Sequence, residues 1–203
     1  MKKIIMLVMA AVMALTAFGC SNSDNQSSSS LQTGTVAKDN SEVGASKADS
    51  PSKADDNSSA DNDNSNGIKP GNYIQNDKLK FTFEKAKQYD EIKTSDFYTA
   101  TPDEGKKYLV LFFEAENVSN KNQYVNYLYF KAYTDNYETD MKALLGDVEG
   151  YKWFTGALDT GKKMKGYLAY EVDPSWKNFE LKYKEIGDKE SIDFSVTPQD
   201  LAQ

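Results

Sequence analysis

Tyr108-Leu109-Val110-Leu111-Phe112-Phe113 is a run of six apolar residues whose one polar atom is a tyrosine hydroxyl. A strand with one wet face would alternate, so a short unbroken run of this kind predicts a central strand covered on both faces. Turn chemistry bounds it: Pro102-Asp103-Glu104-Gly105 lies before the run, and a polar stretch from Asn117 to Asn122 lies after it. On either side the chain alternates instead. Leu79, Phe81 and Phe83 are interleaved with Lys78, Lys80, Thr82 and Glu84, and Phe179, Leu181 and Tyr183 with Glu180, Lys182 and Lys184. Met164, Gly166, Leu168, Tyr170 and Val172 share one strand face, opposite Lys163, Lys165 and Glu171. Leu128, Phe130 and Ala132 fit one face of a further strand, and Ile192, Phe194 and Val196 a last short one.

Turn signals at Asp135-Asn136, Asp159-Thr160-Gly161, Asp173-Pro174-Ser175 and Gly187-Asp188 separate these runs. Only Met141 to Leu145 reads as helical, over about one turn of helix. Many short strands without a helix long enough for a crossover predict an all-β, antiparallel, immunoglobulin-like β-sandwich rather than a parallel sheet. It is assigned to residues 71–203, which hold all 13 Tyr, both Trp and nine of the ten Phe. A domain of 133 residues buries roughly two thirds of its unfolded surface, enough for a real core.

The 70 residues ahead of it have two different compositions. Residues 1–19 read as an export signal: Lys2 and Lys3 are followed by an apolar stretch from Ile4 to Leu15 and by Thr16-Ala17-Phe18-Gly19. That stretch is shorter than the roughly 20 apolar residues that span a bilayer. Residues 20–70 are rich in Ser, Asp, Asn, Ala and Lys and contain no aromatic residue. Such a stretch buries too little apolar surface to offset its conformational entropy and is expected to be a disordered tether. Its length suits a Gram-positive envelope. Within it, Asp61-Asn62-Asp63-Asn64-Ser65-Asn66-Gly67 resembles a calcium loop, but neither register supplies the Glu required at the twelfth position, and a solvated linker is the better reading.

Composition excludes much chemistry. The 203 residues include 31 acidic and 24 basic side chains, for a net charge of −7, with no His, no Arg and one Cys. Histidine-dependent nucleophilic catalysis and imidazole metal ligation are thereby removed. No guanidinium fork is available for phosphate or guanine, and an acidic chain repels nucleic acid, so no nucleic-acid partner is expected. One Cys excludes an intrachain disulfide and a Cys-rich zinc site. No cofactor and no dedicated metal site are expected.

The lone Cys is nonetheless informative. Cys20 follows Gly19 at the end of the apolar stretch and resembles the lipobox of bacterial lipoproteins, in which the sulfur is acylated and the residue becomes the new N-terminus. Ala17 and Phe18 depart from the usual Leu and small residue. Ordinary secretory cleavage at the same bond, leaving a free thiol, is the alternative; lipidation is favoured because an exposed thiol is a liability outside the cell. Two acyl chains hold a protein on a membrane stably where one does not. The implied location is the extracellular face of the cell membrane, with the membrane itself as partner through the anchor.

Three further stretches resemble bacterial lipoproteins whose extracellular part is a domain of unknown function with a telokin-like immunoglobulin fold, also seen in a secreted mycobacterial immunoprotective antigen. They are Tyr108 to Asn117, Leu128 to Asp135 and Leu158 to Val172. The second and third depart locally: Asn136-Tyr137 replaces a common Asp-Gly, and Asp159-Thr160-Gly161 replaces a Pro-Gly turn. The motifs are hairpin and core signals, so they bear on fold and not on chemistry.

Candidate sites are few. If Leu128, Phe130 and Ala132 face the core, then Tyr127, Tyr129 and Tyr133 line the opposite face around Lys131, a stripe able to bind an envelope protein or glycan. The competing reading, given more weight, is that these tyrosines serve the sheet through cross-strand pairs. Trp153 is read as a core plug in preference to a rim anchor. Asp135, Asp140, Asp147 and Glu149 cluster in the longest inter-strand region. They are the one route to a carboxylate-dependent hydrolase acting on envelope glycans, or to a weak calcium site, although acidic loops are usually just solvated. Asn117-Val118-Ser119 matches a glycosylation acceptor, but the Asn is better explained by the turn. The function expected is non-enzymatic binding or display at the envelope, with the hydrolase as the alternative.

Overall fold

A computed structural model describes residues 31–36 and 67–203. The export signal, Cys20 and the calcium-like run from Asp61 to Asn66 lie outside the described residues. The strands are β1 (Gln32–Thr35), β2 (Asn72–Gln75), β3 (Leu79–Tyr89), β4 (Ile92–Ser95), β5 (Tyr98–Ala100), β6 (Lys107–Asn117) and β7 (Gln123–Val125). They are followed by β8 (Phe130–Thr134), β9 (Tyr137–Thr139), β10 (Lys152–Trp153), β11 (Gly156–Leu158), β12 (Lys163–Val172), β13 (Phe179–Tyr183) and β14 (Ile192–Val196).

The fold is the all-β antiparallel sandwich expected. One sheet runs β1-β2-β3-β6-β12-β10 and the other β14-β13-β8-β9, with two-stranded ribbons β4-β5 and β7-β11 beside them. Pairing is antiparallel throughout except for the two-residue β10, which lies parallel to β12. The decisive run is β6, central in the larger sheet, and Tyr108 to Phe113 is buried on both faces.

Those two faces meet different partners. Leu109, Leu111, Phe113 and Ala115 point at the smaller sheet and pack with Phe81, Phe83, Leu168, Tyr170, Phe130, Phe179, Leu181, Tyr183 and Phe194. Phe113 lies against Phe83, Phe194 and Phe154, with ring centroids 4.8, 5.1 and 5.4 Å away. Tyr108, Val110 and Phe112 point the other way, into a second core with Tyr167 and Ala169. That core is closed by Ile92 and Ala100 of the β4-β5 ribbon and by Leu144 and Val148 of the following long loop.

Alternation in β3 breaks at a bulge between Phe83 and Lys85, so Ala86, three residues after Phe83, returns to the inner face. The extra residue places Glu84 and Lys85 on the outer face together, which matters for the charge network described below.

Three expectations change. Met141 to Leu145 forms no helix; Met141 makes a bridge to Tyr170, and Leu144 covers the second core, so tertiary contacts override weak local propensity. The strand expected from Leu128 begins at Phe130, because Tyr127–Tyr129 is a 3-10 turn whose N-cap, Asn126, accepts a hydrogen bond from the Leu128 amide. The tether reading of residues 20–70 fails at Gln32–Thr35, which is strand β1, and again at Ile68, which bridges to Phe194.

Candidate functional site

The 3-10 turn dismantles the tyrosine stripe. Leu128 is 69% exposed instead of buried. Tyr127 turns toward the larger sheet and meets Trp153 edge-on at 5.7 Å, while Tyr129 packs against Tyr183 at 6.2 Å. Tyr133 stays on the outer face of β8, opposite Glu138 and Glu180 on the neighbouring strands. The three rings therefore form no single surface. Trp153 is half-buried against the second core, edge-on to Tyr167 at 5.6 Å.

What gathers around Lys131 is a groove of about 450 Å³ on the outer face of the smaller sheet. Its lining includes Leu128, Tyr129, Lys131, Lys182, Lys184 and Ile186. Ile186, 90% exposed, and Leu128 supply aliphatic surface at its mouth. Lys131 on β8 and Lys182 on β13 stand directly opposite each other in the ladder. Like charges in register destabilise a sheet, so this pair costs the fold something. Asp193 offsets part of that cost: it ion-pairs with Lys182 at 3.1 Å, and this contact raises the pKa of Lys182. Lys184 donates to the Lys189 carbonyl at 3.0 Å, which anchors the loop carrying Ile186. Glu185 turns to Lys78 and to the Tyr183 hydroxyl, 3.1 and 2.6 Å away. Burial, with that carboxylate second, holds the Tyr183 hydroxyl protonated well above its ordinary range. Sequence reasoning found Tyr129 and Lys131 but missed Leu128, Lys182 and Ile186. The adjacent lysines followed only from a strand register that the sequence does not state.

Two of the four carboxylates proposed for acid–base work, Asp135 and Glu149, are occupied elsewhere. Asp135 and Asn136 have φ of 50° and 72°, the two left-handed residues of a tight hairpin between β8 and β9. The Asp135 carboxylate accepts from the amides of Lys177 and Asn178, at 3.1 and 2.8 Å. Glu149 lies over the larger sheet, where Lys85, Lys87 and the Tyr89 hydroxyl donate to it, the last two at 3.0 and 2.8 Å. Burial opposes its charge, but these donors outweigh burial and lower its pKa to about 2. Among the described residues no three acidic side chains come together to hold a metal ion. Asn117 is fully engaged as well. Its amide donates to the carbonyls of Lys121 and Leu158, both at 2.8 Å, and its oxygen accepts from Ser119. A buried amide with both hydrogens committed serves the turn and not a glycan.

Comparison with known proteins bears on the fold. The yjhA protein of Bacillus subtilis is 19% identical, with a TM-score of 0.51, the match covering 64% of this chain and 98% of that one. Two candidate lipoproteins are also similar. One is ycdA of Bacillus subtilis, at 20% identity and TM-score 0.46, where the match covers 61% of this chain but only 38% of that longer one. The other comes from Staphylococcus aureus, at 17% identity and TM-score 0.46, covering 64% of this chain and 90% of its own. None of the curated proteins compared with the chain matches it. The model of one family, described as a domain of unknown function, DUF4352, matches residues 68–193, well over half of the sequence and nearly all of the sandwich. The chain belongs to the DUF4352 family.

Proposed function

We propose that this protein is an envelope lipoprotein, anchored through acylated Cys20, whose sandwich binds an envelope component without transforming it. The anchor reading is supported by Lys2-Lys3, the apolar stretch and the Gly19-Cys20 junction. The likeness to lipoproteins bearing a telokin-like immunoglobulin domain agrees with it. The observation that carries the binding reading is the groove itself, where Lys131 and Lys182 are held side by side next to exposed Leu128 and Ile186. Two adjacent ammonium groups beside aliphatic surface suit a protein or glycan partner that presents an anionic group next to an apolar one. A long connection to the membrane would keep the domain near such partners and raise their effective concentration.

Two measurements test this. Cys20→Ala should release the protein from the membrane fraction into the medium, and continued membrane retention rejects the anchor. Capture of envelope components by the purified protein should be lost in a Lys131→Glu, Ile186→Asp double variant. Unchanged capture removes the groove as the binding surface.

A further inference from the structure

Strand β1, like the short β9, contributes no side chain to either core, but unlike β9 it is joined to the sheet from far away in sequence. Gln32-Thr33-Gly34-Thr35 pairs antiparallel with β2, Gly34 opposite Tyr73, and the Val36 amide extends the ladder to the Gly71 carbonyl at 3.0 Å. Three of its four residues are exposed, the fourth is half-buried, and none joins either core. Its attachment is therefore made of backbone hydrogen bonds. Each is worth little net of water, whereas ordering the backbone costs free energy at every residue, so without apolar burial the balance lies near even.

One side-chain feature selects the segment. The Tyr73 ring covers Gly34 so closely that a Cβ there would sit 2.6 Å from ring carbons and from the hydroxyl. The Lys80 ammonium stands 4.0 Å from the centroid of the same ring and helps to fix it. Any larger residue there would have to push the Tyr73 ring aside, so the ring favours glycine in the strand it covers. The outer edge of β2, which β1 takes up, presents the row of amides and carbonyls by which sheets recruit extended peptides.

We propose that the outer edge of β2 is a strand-accepting site for an extended segment with glycine opposite Tyr73, and that Leu31–Val36 of the same chain occupies it as an exchangeable strand. If Cys20 is the anchor, a point that rests on the function proposed above, docking of β1 shortens the run between membrane and domain. Residues 21–66 span at most about 160 Å and residues 21–31 about 40 Å, at roughly 3.4 Å per residue.

Hydrogen exchange read by mass spectrometry on the full chain tests the site. In Gly34→Val, amides of residues 32–36 and 72–75 should exchange at least about tenfold faster while those of β6 and β12 keep their protection, the pattern of a local opening. Adding a synthetic peptide of the Leu31–Val36 sequence should restore protection at 72–75, and the same peptide with valine for glycine should not. Tyr73→Ala serves as a second opening variant. Unchanged exchange in both variants, or no restoration by the glycine peptide, overturns the proposal. Protection that rises with protein concentration together with a dimer mass overturns occupancy by the same chain and assigns the strand to a second copy. Cys20→Ala should leave all of these results unchanged, so failure of the anchor and failure of the strand site are told apart.

Discussion

Phe112 and Phe113 are adjacent, equally buried, and belong to different cores. Phe113 lies between two sheets and meets Phe83, Phe194 and Phe154, each supplied by a separate strand or strand end. Phe112 lies under a ribbon and a loop, with Tyr151 edge-on at 4.9 Å and the Lys85 ammonium 4.7 Å from its ring. The inner core is closed by elements that are themselves hydrogen-bonded in ladders. The outer one is closed by a two-stranded ribbon and by a loop that belongs to neither sheet, and that loop is freer to settle into a vacated space. Burial alone does not measure what a residue contributes; the stiffness of its cover matters as well.

Truncating both residues breaks or sharpens that contrast. Phe113→Ala should cost about 4 to 5 kcal/mol and Phe112→Ala about 3 kcal/mol, the two ends of the range for buried aromatics, because the cavity left by Phe112 can partly collapse. Urea unfolding of the two variants checks this. Equal losses would mean that the ribbon and loop are as rigid as the second sheet. Asn117→Ala comes next, at about 2 kcal/mol, by stranding the Leu158 and Lys121 carbonyls that it now satisfies. A loss below about 0.5 kcal/mol, within the range of an ordinary surface substitution, would show that water replaces the amide and that the loop end is looser than the ladder around it.

The same contrast explains which parts of the molecule were legible in its sequence. The inner core was written in period two: Phe81 and Phe83, Leu168 and Tyr170, Leu181 and Tyr183 each declared a face, and the unbroken run through Phe113 declared the centre. The outer cover was not, because Leu144 and Val148 follow no strand period and are recruited by contacts distant in sequence. Strand β1 was illegible for a different reason. Gln32-Thr33-Gly34-Thr35 buries almost nothing, so no hydrophobic signal marks it, and its fit to Tyr73 is a pairing across residues far apart in the chain. The site failed at a single turn. Asn126 starts a 3-10 turn that removes Tyr127 and Tyr129 from the alternation assumed for them, and the basic groove that replaced the stripe depends on Lys131 meeting Lys182 in register.

The smallest effect is expected at the charged part of the outer face, and it is separable by pH. Glu149 has φ of 50° and accepts from Lys85, Lys87 and Tyr89, all carried by β3 beyond its bulge. Ion pairs this exposed contribute below about 1 kcal/mol, so Glu149→Gln should change stability only slightly at pH 7. Its pH dependence is distinctive. With a folded pKa of about 2, the carboxylate stabilises the fold fully above its unfolded value of about 4.3 and loses that contribution as pH falls toward 2. The gap between wild type and Glu149→Gln should therefore be widest at pH 6 to 7 and close between pH 5 and 2, as read from urea midpoints at pH 7, 4 and 2.5. Parallel curves would show that the loop bearing Glu149 is not held by its charge. The outer cover would then rest on the apolar contacts of Ile92, Ala100, Leu144, Val148 and Tyr151, a smaller version of the inner core.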